Sequence, residues 1–375
     1  MSEDIKTIVI DIGSKFSRIG FSGDSDPYSI VHTFVGQAKY VCSMSHVELL
    51  YYGDNAYDKY PVMIPFYPVK RGIIEDWVKM ELFLKYLFEN ELRANISEHP
   101  VLFTEIPFNP KSNREKIIEL MFETYNAPSF FMKNQAVLSL LSSGRNTGVA
   151  VESGDEITNI VPIYEGNQIQ DSIKRINLGG RDITNNLIKL LENRGYDFNS
   201  NIFWNIDELF NNIKEQKCFV SYDYENDMKR ANDYNFHYKD DNGFDLQFNK
   251  ELFMCSEILF NQNCEGNNDE GIDKEIYKSI KKCDEKIQSL LYNNIVLSGG
   301  NSMLKGFPER ITKELKEMTK NENIGFNIIC PENRKNGSWI GGSIFSSNTD
   351  IFNKIVIKRS EYDEVGARIV NVKCI

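Results

Sequence analysis

Residues 7–23 read TIVIDIGSKFSRIGFSG. Thr7 to Ile12 is a β-branched, apolar run, a Gly-Ser turn follows, and Phe16 to Phe21 resumes as a second strand. The stretch therefore predicts a hairpin that carries one acid, Asp11, at its bend. Residues 148–166, GVAVESGDEITNIVPIYEG, have the same form: an apolar strand, a turn of Glu152, Ser153, Gly154 and Asp155, and a second apolar strand. Two hairpins built alike predict a duplicated core. Helical patterns follow each of them. Ser112 and Glu115 have the spacing of a capping box ahead of Ile117, Ile118, Met121, Phe122 and Tyr125. Asp182 to Arg194 predicts another helix, closed by Gly195 in the position that tolerates a left-handed backbone. Strands that alternate with helices predict an α/β fold.

A third run, NIVLSGGNSMLKGFPERITKELKEM at residues 294–318, reads as strand, Gly299-Gly300 turn and helix. Glycines at such a turn let the backbone come close to another group, and the helix N-terminus behind them favours anions. A phosphate or nucleotide is the natural guest; a turn that merely ends a strand is the competing reading of this run alone. Two acid-bearing turns and this glycine turn together outline a phosphate cradle with carboxylates on both sides. Carboxylates beside phosphates normally hold magnesium, often through water.

Composition narrows the partners. The chain has 375 residues, with 54 acids against 43 bases and a net charge of −11. That balance, with no basic block, argues against direct nucleic-acid binding, which draws its affinity from clustered Lys and Arg. The length predicts two or three domains, or lobes, with no linker long enough to separate independent modules. No stretch approaches the length of a membrane span and MSEDIKTIVIDIG shows no leader pattern, so a soluble chain made in the cytosol is expected. The seven cysteines form no CxxC pair and the four histidines no HExxH, which leaves free thiols and no support for a zinc or Cys/His enzyme. The region from Asn226 to Gly271 is the least regular. Within it DDNG at 240–243 predicts a hairpin turn, and NQNCEGNNDEGID at 261–273 an exposed loop.

Nearly the whole chain resembles the actin family. The strongest stretches are EHPVLFTEIPFNPKSNREKI (98–117), NQAVLSLLSSGRNTGVAVESGD (134–155), VPIYEG (161–166), LGGRDIT (178–184), NIVLSGG (294–300) and WIGGSIF (339–345). Within the family, NIVLSGGNSMLKGF and VGARIV look closer to centractin than to muscle-type actin. The resemblance implies the actin-like ATPase fold shared with hexokinase and the heat-shock chaperones: two lobes around a nucleotide cleft with a duplicated core. One lobe would be 1–133 plus 340–375, with 33–69 as its small subdomain. The other would be 134–339, with 181–262 as its small subdomain. ATP or ADP with Mg2+ is the implied ligand. Position by position, Asp11, Gly13 and Ser14 match the first phosphate loop, with Asp11 organising the magnesium waters. Ser153, Gly154 and Asp155 match the second, and Asp155 keeps the family's second acid toward the metal. Gln135 matches the glutamine that positions the attacking water. Lys214 and Glu215 match the pair near ribose and base, although adjacent charges on a helix also fit a solvated face. Gly299, Gly300 and Lys335 match the rest of the adenine side.

Several positions depart from the family. Lys15 stands where actin has glycine, and either contacts phosphate or points to solvent. Arg18 stands where actin has its phosphate-contacting lysine, keeping the charge with a larger, forked head. Glu152 replaces an aspartate, moving the catalytic-side carboxylate by one methylene. Glu156 replaces a glycine and Asn159 a histidine. Water positioning tolerates little misplacement, so binding is expected to survive these changes better than hydrolysis, leaving at most a slow ATPase that uses Gln135, Glu152 and Asp11. Polymer contacts change too. The loop that actin inserts into its neighbour falls at Gln37 to Tyr52 and has lost its glycines. Arg71 stands at the modified histidine. The apolar plug falls at Asn261 to Gly271, where Glu265, Asp269 and Glu270 add a desolvation cost to any insertion.

The sequence thus predicts a divergent actin-like protein of the cytoplasm and cytoskeleton, with the nucleus left open. It would work in a short polymer or multiprotein complex with other actin-like or cytoskeletal proteins, and self-associate through altered contacts. The alternatives are a conventional filament former whose hydrolysis is coupled to assembly, a chromatin-associated actin-related subunit, and, more distantly, a sugar kinase of the same superfold, for which no catalytic aspartate facing a sugar pocket is found.

Overall fold

The computed structural model describes residues 5–39, 49–198, 206–239, 245–261, 270–321 and 324–374. Both hairpins form: Ile8–Ile12 pairs antiparallel with Phe16–Phe21, and Gly148–Ser153 with Thr158–Tyr164. Ile8, Val9 and Ile10 are all fully buried, as are Val149, Ala150 and Val151. A strand covered on both faces reads as a continuous apolar run, which is why these segments do not alternate.

Each hairpin seeds a mixed sheet of the same design. In the first, Ser29–His32 continues the hairpin on one side. On the other side Val101–Glu105 runs parallel to Ile8–Ile12, Ser129–Asn134 runs parallel to Val101–Glu105, and Ile357–Lys358 closes the edge. In the second, Asn167–Gln168 and Lys174–Ile176 extend Thr158–Tyr164. Ile295–Ser298 runs parallel to Gly148–Ser153, and Ile328–Ile329 is parallel beyond it. Parallel neighbours need crossovers, and helices supply them: Lys111–Glu119 between Val101–Glu105 and Ser129–Asn134, and Phe307–Thr319 between Ile295–Ser298 and Ile328–Ile329. The expected α/β duplication therefore extends from the hairpins to whole sheets. Each sheet has its own apolar core, one built from residues between Ile8 and Met132 with Trp339 to Cys374, the other from residues between Val149 and Leu315.

The halves meet where two helices cross, Gln135–Ser142 and Gly337–Ser347. A Cβ on Gly341 would lie 1.8 Å from the Leu138 carbonyl oxygen, so only glycine allows this approach. Trp339 beside it is fully buried, and its indole N–H donates to the Val9 carbonyl at 3.1 Å. A small sheet of Val35–Ala38, Leu50–Tyr52 and Met63–Phe66 is attached to the first half. The second half carries the helices Gly180–Glu192, Ile206–Lys217 and Glu251–Glu257.

Three expectations change in detail. The predicted capping box is absent: Pro110 occupies the N-cap, the helix starts at Lys111, and Ser112 is already inside it. Glu115 instead accepts a hydrogen bond from Asn371 at 2.7 Å. The helix predicted at Asp182–Arg194 starts at Gly180 and ends at Glu192, with Gly195 at φ +96° beyond it. The irregular region contains a helix at Tyr224–Lys229 and the paired strands Phe236–Lys239 and Asp245–Phe248, which flank DDNG; the turn itself lies outside the described residues. So do most of the Gln37–Tyr52 and Asn261–Gly271 loops. At their described ends Gln37 pairs with Leu50, and Asn261 bridges Glu270. Cys218, Cys255, Cys283 and Cys374 are buried free thiols and Cys330 an exposed one.

Candidate functional site

The two hairpin turns have the same closing bond. The Gly13 amide donates to the Phe16 carbonyl at 3.1 Å, and the Gly154 amide donates to the Ile157 carbonyl at 2.9 Å. They face each other across a cavity between the halves, with the Gly299-Gly300 turn as its third wall. Every predicted site residue except Ser153 lines it: Asp11, Gly13, Ser14, Lys15, Arg18, Gln135, Glu152, Gly154, Asp155, Lys214, Glu215, Gly299, Gly300 and Lys335. The two glycines do different work. Gly299 has φ +84° and presses on Ser153, whose carbonyl oxygen would lie 2.3 Å from an added Cβ; at Gly300 an added Cβ meets nothing within 4 Å, which leaves room for a guest. The Ser153 side chain turns away from the cavity. It is fully buried, with its hydroxyl between the Thr158 hydroxyl at 2.9 Å and the Asn301 amide at 3.0 Å.

Strand register decides what faces each carboxylate. Opposite Asp11 is Arg18; opposite Glu152, at the equivalent place in the second hairpin, is Asn159. Asp11 Oδ1 accepts from Thr104 Oγ1 at 2.6 Å and Gln135 Nε2 at 2.8 Å, and Oδ2 lies 3.4 Å from Arg18 Nη1. Gln135 is the first residue of its helix, behind an Asn134 cap that accepts from the Ala136 amide at 2.9 Å. Its carboxamide is thereby aimed at Asp11. Arg18 also reaches the far wall, donating from Nε to Asn336 Oδ1 at 2.7 Å and from Nη2 to the Lys335 carbonyl at 3.0 Å.

Glu152 has no cation opposite it. Burial pushes its carboxyl up to about 7, and Asp11 adds to the rise; hydrogen bonds from Ser139 and Ser338 hold it back. Those two hydroxyls sit on the two crossing helices, Ser338 donating to Oε1 at 3.0 Å, so this carboxyl is moored to the junction of the halves. Asn159 beside it is 3% exposed, and its Oδ1 has no partner among the described residues. A buried acceptor without a donor, lining a cavity, is what a bound water or ligand would complete.

On the other wall Lys214 is 4% exposed, and its ammonium donates to the Gly180 carbonyl, Thr184 Oγ1 and Asn211 Oδ1 at 2.8, 2.9 and 2.9 Å. Burial, and then the nearby Lys15, lower its pKa. The solvated-face reading fails for Lys214. Its three protons are taken within the protein, so it supports the wall through Gly180. Lys15 Nζ lies 3.6 Å from Glu215 Oε1 across the cavity.

Asp155 and Glu156 share one guanidinium. Arg181 Nη2 donates to Asp155 Oδ2 at 2.9 Å, and Nη1 to Glu156 Oε1 at 2.6 Å. Arg181 also stands 5.1 Å above the Tyr67 ring. Glu156 Oε2 accepts from the Arg71 amide. Thr104, Asn301 and Ser338 are functional neighbours that sequence reasoning missed. Asn301 follows Gly300 directly, and its Nδ2 donates to the Gly154 carbonyl at 2.7 Å, tying the third turn to the second. Among the described residues no group of three His, Cys, Asp or Glu side chains is arranged to hold a metal directly, and no helix is long and apolar enough to cross a membrane. In a comparison with protein-family models, residues 2–375 match the one described as Actin.

Proposed function

The chain belongs to the actin family, and from that premise we propose a divergent actin-like cytoskeletal protein that binds ATP with magnesium in this cleft and works in a short polymer or multiprotein complex. One observation carries the nucleotide part: two acid-bearing turns of the same geometry and an open Gly300 converge on a single cavity, with the Asn159 acceptor left unmatched inside it. The lobes we propose are 1–133 plus 340–375 and 134–339. Magnesium keeps several of its waters when bound. Asp11 and Asp155 would hold it through those waters, and the ion would neutralise phosphate charge. Gly13, Ser14, Gly154 and Gly300 would offer backbone and hydroxyl contacts to the phosphates, with Lys335 and Glu215 on the adenine side. Arg18 is both the nearest cation to Asp11 and a phosphate partner. Phosphate would therefore draw it partly off that carboxylate.

Purified protein is expected to retain adenine nucleotide, identified by acid extraction and chromatography, and to bind ATP more tightly with magnesium than with EDTA. A preparation that neither retains nor binds ATP would end this reading. Conventional turnover is the second reading, supported by the Gln135 carboxamide at Asp11 and by Glu152, whose pKa suits proton transfer near neutrality. Single-turnover phosphate release separates the two. A measurable rate abolished in Gln135→Ala favours hydrolysis, whereas bound ATP that persists through the assay favours a binding role.

A further inference from the structure

We propose that the cleft is clasped shut by the chain's own side chains, so that its halves stay closed with nothing between them. Three bridges cross it at separate places. Lys15 of the first half meets Glu215 of the second, Nζ to Oε1 at 3.6 Å. Arg18 of the first half donates to Asn336 Oδ1 at 2.7 Å and to the Lys335 carbonyl at 3.0 Å, on a turn that packs against the second sheet. The third bridge grips a backbone. Arg71 and Gly72 form the two-residue turn between Val69–Lys70 and Ile73–Ile74, both with positive φ, 47° and 73°. The second half holds the Arg71 backbone at both its polar groups: Glu156 accepts from the Arg71 amide, and Arg175 Nη2 donates to the Arg71 carbonyl at 2.6 Å. Lys15, Arg18 and Glu156 are three of the positions at which the sequence departs from the actin pattern, and each of them faces the opposite half.

The chain connects the halves through crossing segments at one side, so opening the cleft is a hinge motion that breaks these bridges together with the stacking of Arg181 on Tyr67. A ligand closes such a cleft only by favouring the closed state. Here that bias is built in. Arg18 and Glu156, at 15% and 12% exposure, are screened by salt less than surface pairs, whereas Glu215, at 62%, leaves the Lys15 bridge open to screening. Lys15–Glu215 is an ion pair and the other two bridges are hydrogen bonds; each shifts an equilibrium about fivefold, and bridges without shared partners multiply, so three give a closed-to-open ratio raised roughly a hundredfold. The inference concerns the ligand-free chain and does not depend on the nucleotide reading.

The test strips nucleotide and metal with apyrase and EDTA, then measures the radius of gyration by small-angle scattering and backbone amide exchange at Arg71. The wild-type chain is expected to keep one radius before and after stripping. The stripped Lys15→Ala/Glu156→Ala variant should expand and exchange the Arg71 amide at least about tenfold faster. Adding ATP and magnesium to that variant reports separately on nucleotide binding. Stripped wild type that expands as far as the variant overturns the proposal. If the variant does not fold, stripped wild type answers alone.

Discussion

Glu152 sits where the fold makes a carboxyl titrate near neutrality, and the cause lies in one register pair. Its counterpart Asp11 faces Arg18, whereas Glu152 faces the uncharged Asn159, so nothing cationic offsets its burial. Because the folded pKa is raised, ionisation opposes folding. The stability contribution is complete below the unfolded value, near 4.5, and is lost as pH rises through about 7. A shift of this size corresponds to on the order of 3 kcal/mol over that interval. Burial raises Glu105, Glu257 and Asp273 in the same direction, so the informative quantity is a difference. Urea unfolding of wild type and Glu152→Gln from pH 5 to pH 8 should show the wild type losing more stability than the variant as pH rises. Parallel curves would mean that Glu152 is ionised throughout. If the chain hydrolyses ATP, the same group makes phosphate release rise with an apparent pKa near 7, a dependence that Glu152→Gln removes.

The elements that position the site are those whose chemistry is local. A β-branched run ending in acid and glycine reads as a strand entering a tight turn, so Asp11, Gly13, Glu152 and Gly154 are legible without a partner in view. What escapes is fixed by distant packing. The Ser153 hydroxyl points inward because it bonds with the Thr158 hydroxyl and accepts from the Asn301 amide there, and the partner of Lys15 lies 200 residues away at Glu215. The capping box fails for a local reason that spacing alone overlooks: Pro110 is set at φ −57° and starts the helix early. The crossing of Gln135–Ser142 and Gly337–Ser347 yields a sharp test at this scale. A methyl at Gly341 would overlap the Leu138 carbonyl, and one at Gly342 would meet Val9 Cγ1 at 2.8 Å. Gly341→Ala should destabilise by about 3 kcal/mol, the upper range for overpacking, because backbone on both sides prevents relaxation. Gly325→Ala, where an added Cβ meets only Asn293 Oδ1 at 4.0 Å, serves as the control. Equal denaturation midpoints for the two variants would show that the helices are not in contact at Gly341.

Across the whole molecule, the excess of acid looks different once folded. Residues 226–275 hold 12 acids against 5 bases, which in sequence reads as a surface that repels its own copy. Three of those acids are interior: Glu251, Glu257 and Asp273 are 2%, 3% and 5% exposed. Glu251 pairs with Arg194, and Glu257 with Arg310, both at 3.0 Å; Asp233, Asp245, Glu270 and Glu275 meet cationic or imidazole partners of their own. The local patch is therefore weaker than its composition, and repulsion between copies falls to the diffuse net charge of −11. Diffuse charge is screened by simple salt: the Debye length shortens from about 30 Å at 0.01 M to about 8 Å at 0.15 M. Sedimentation with ATP and magnesium should leave the chain in the supernatant at the lower salt and pellet severalfold more at the higher. The charge reversal Asp233→Lys, at an exposed and already paired position, should change that profile little. A large gain in pelleting from this one substitution would instead locate the repulsion in the patch and restore the reading taken from composition. Insensitivity to salt would mean that missing contacts, not charge, limit assembly.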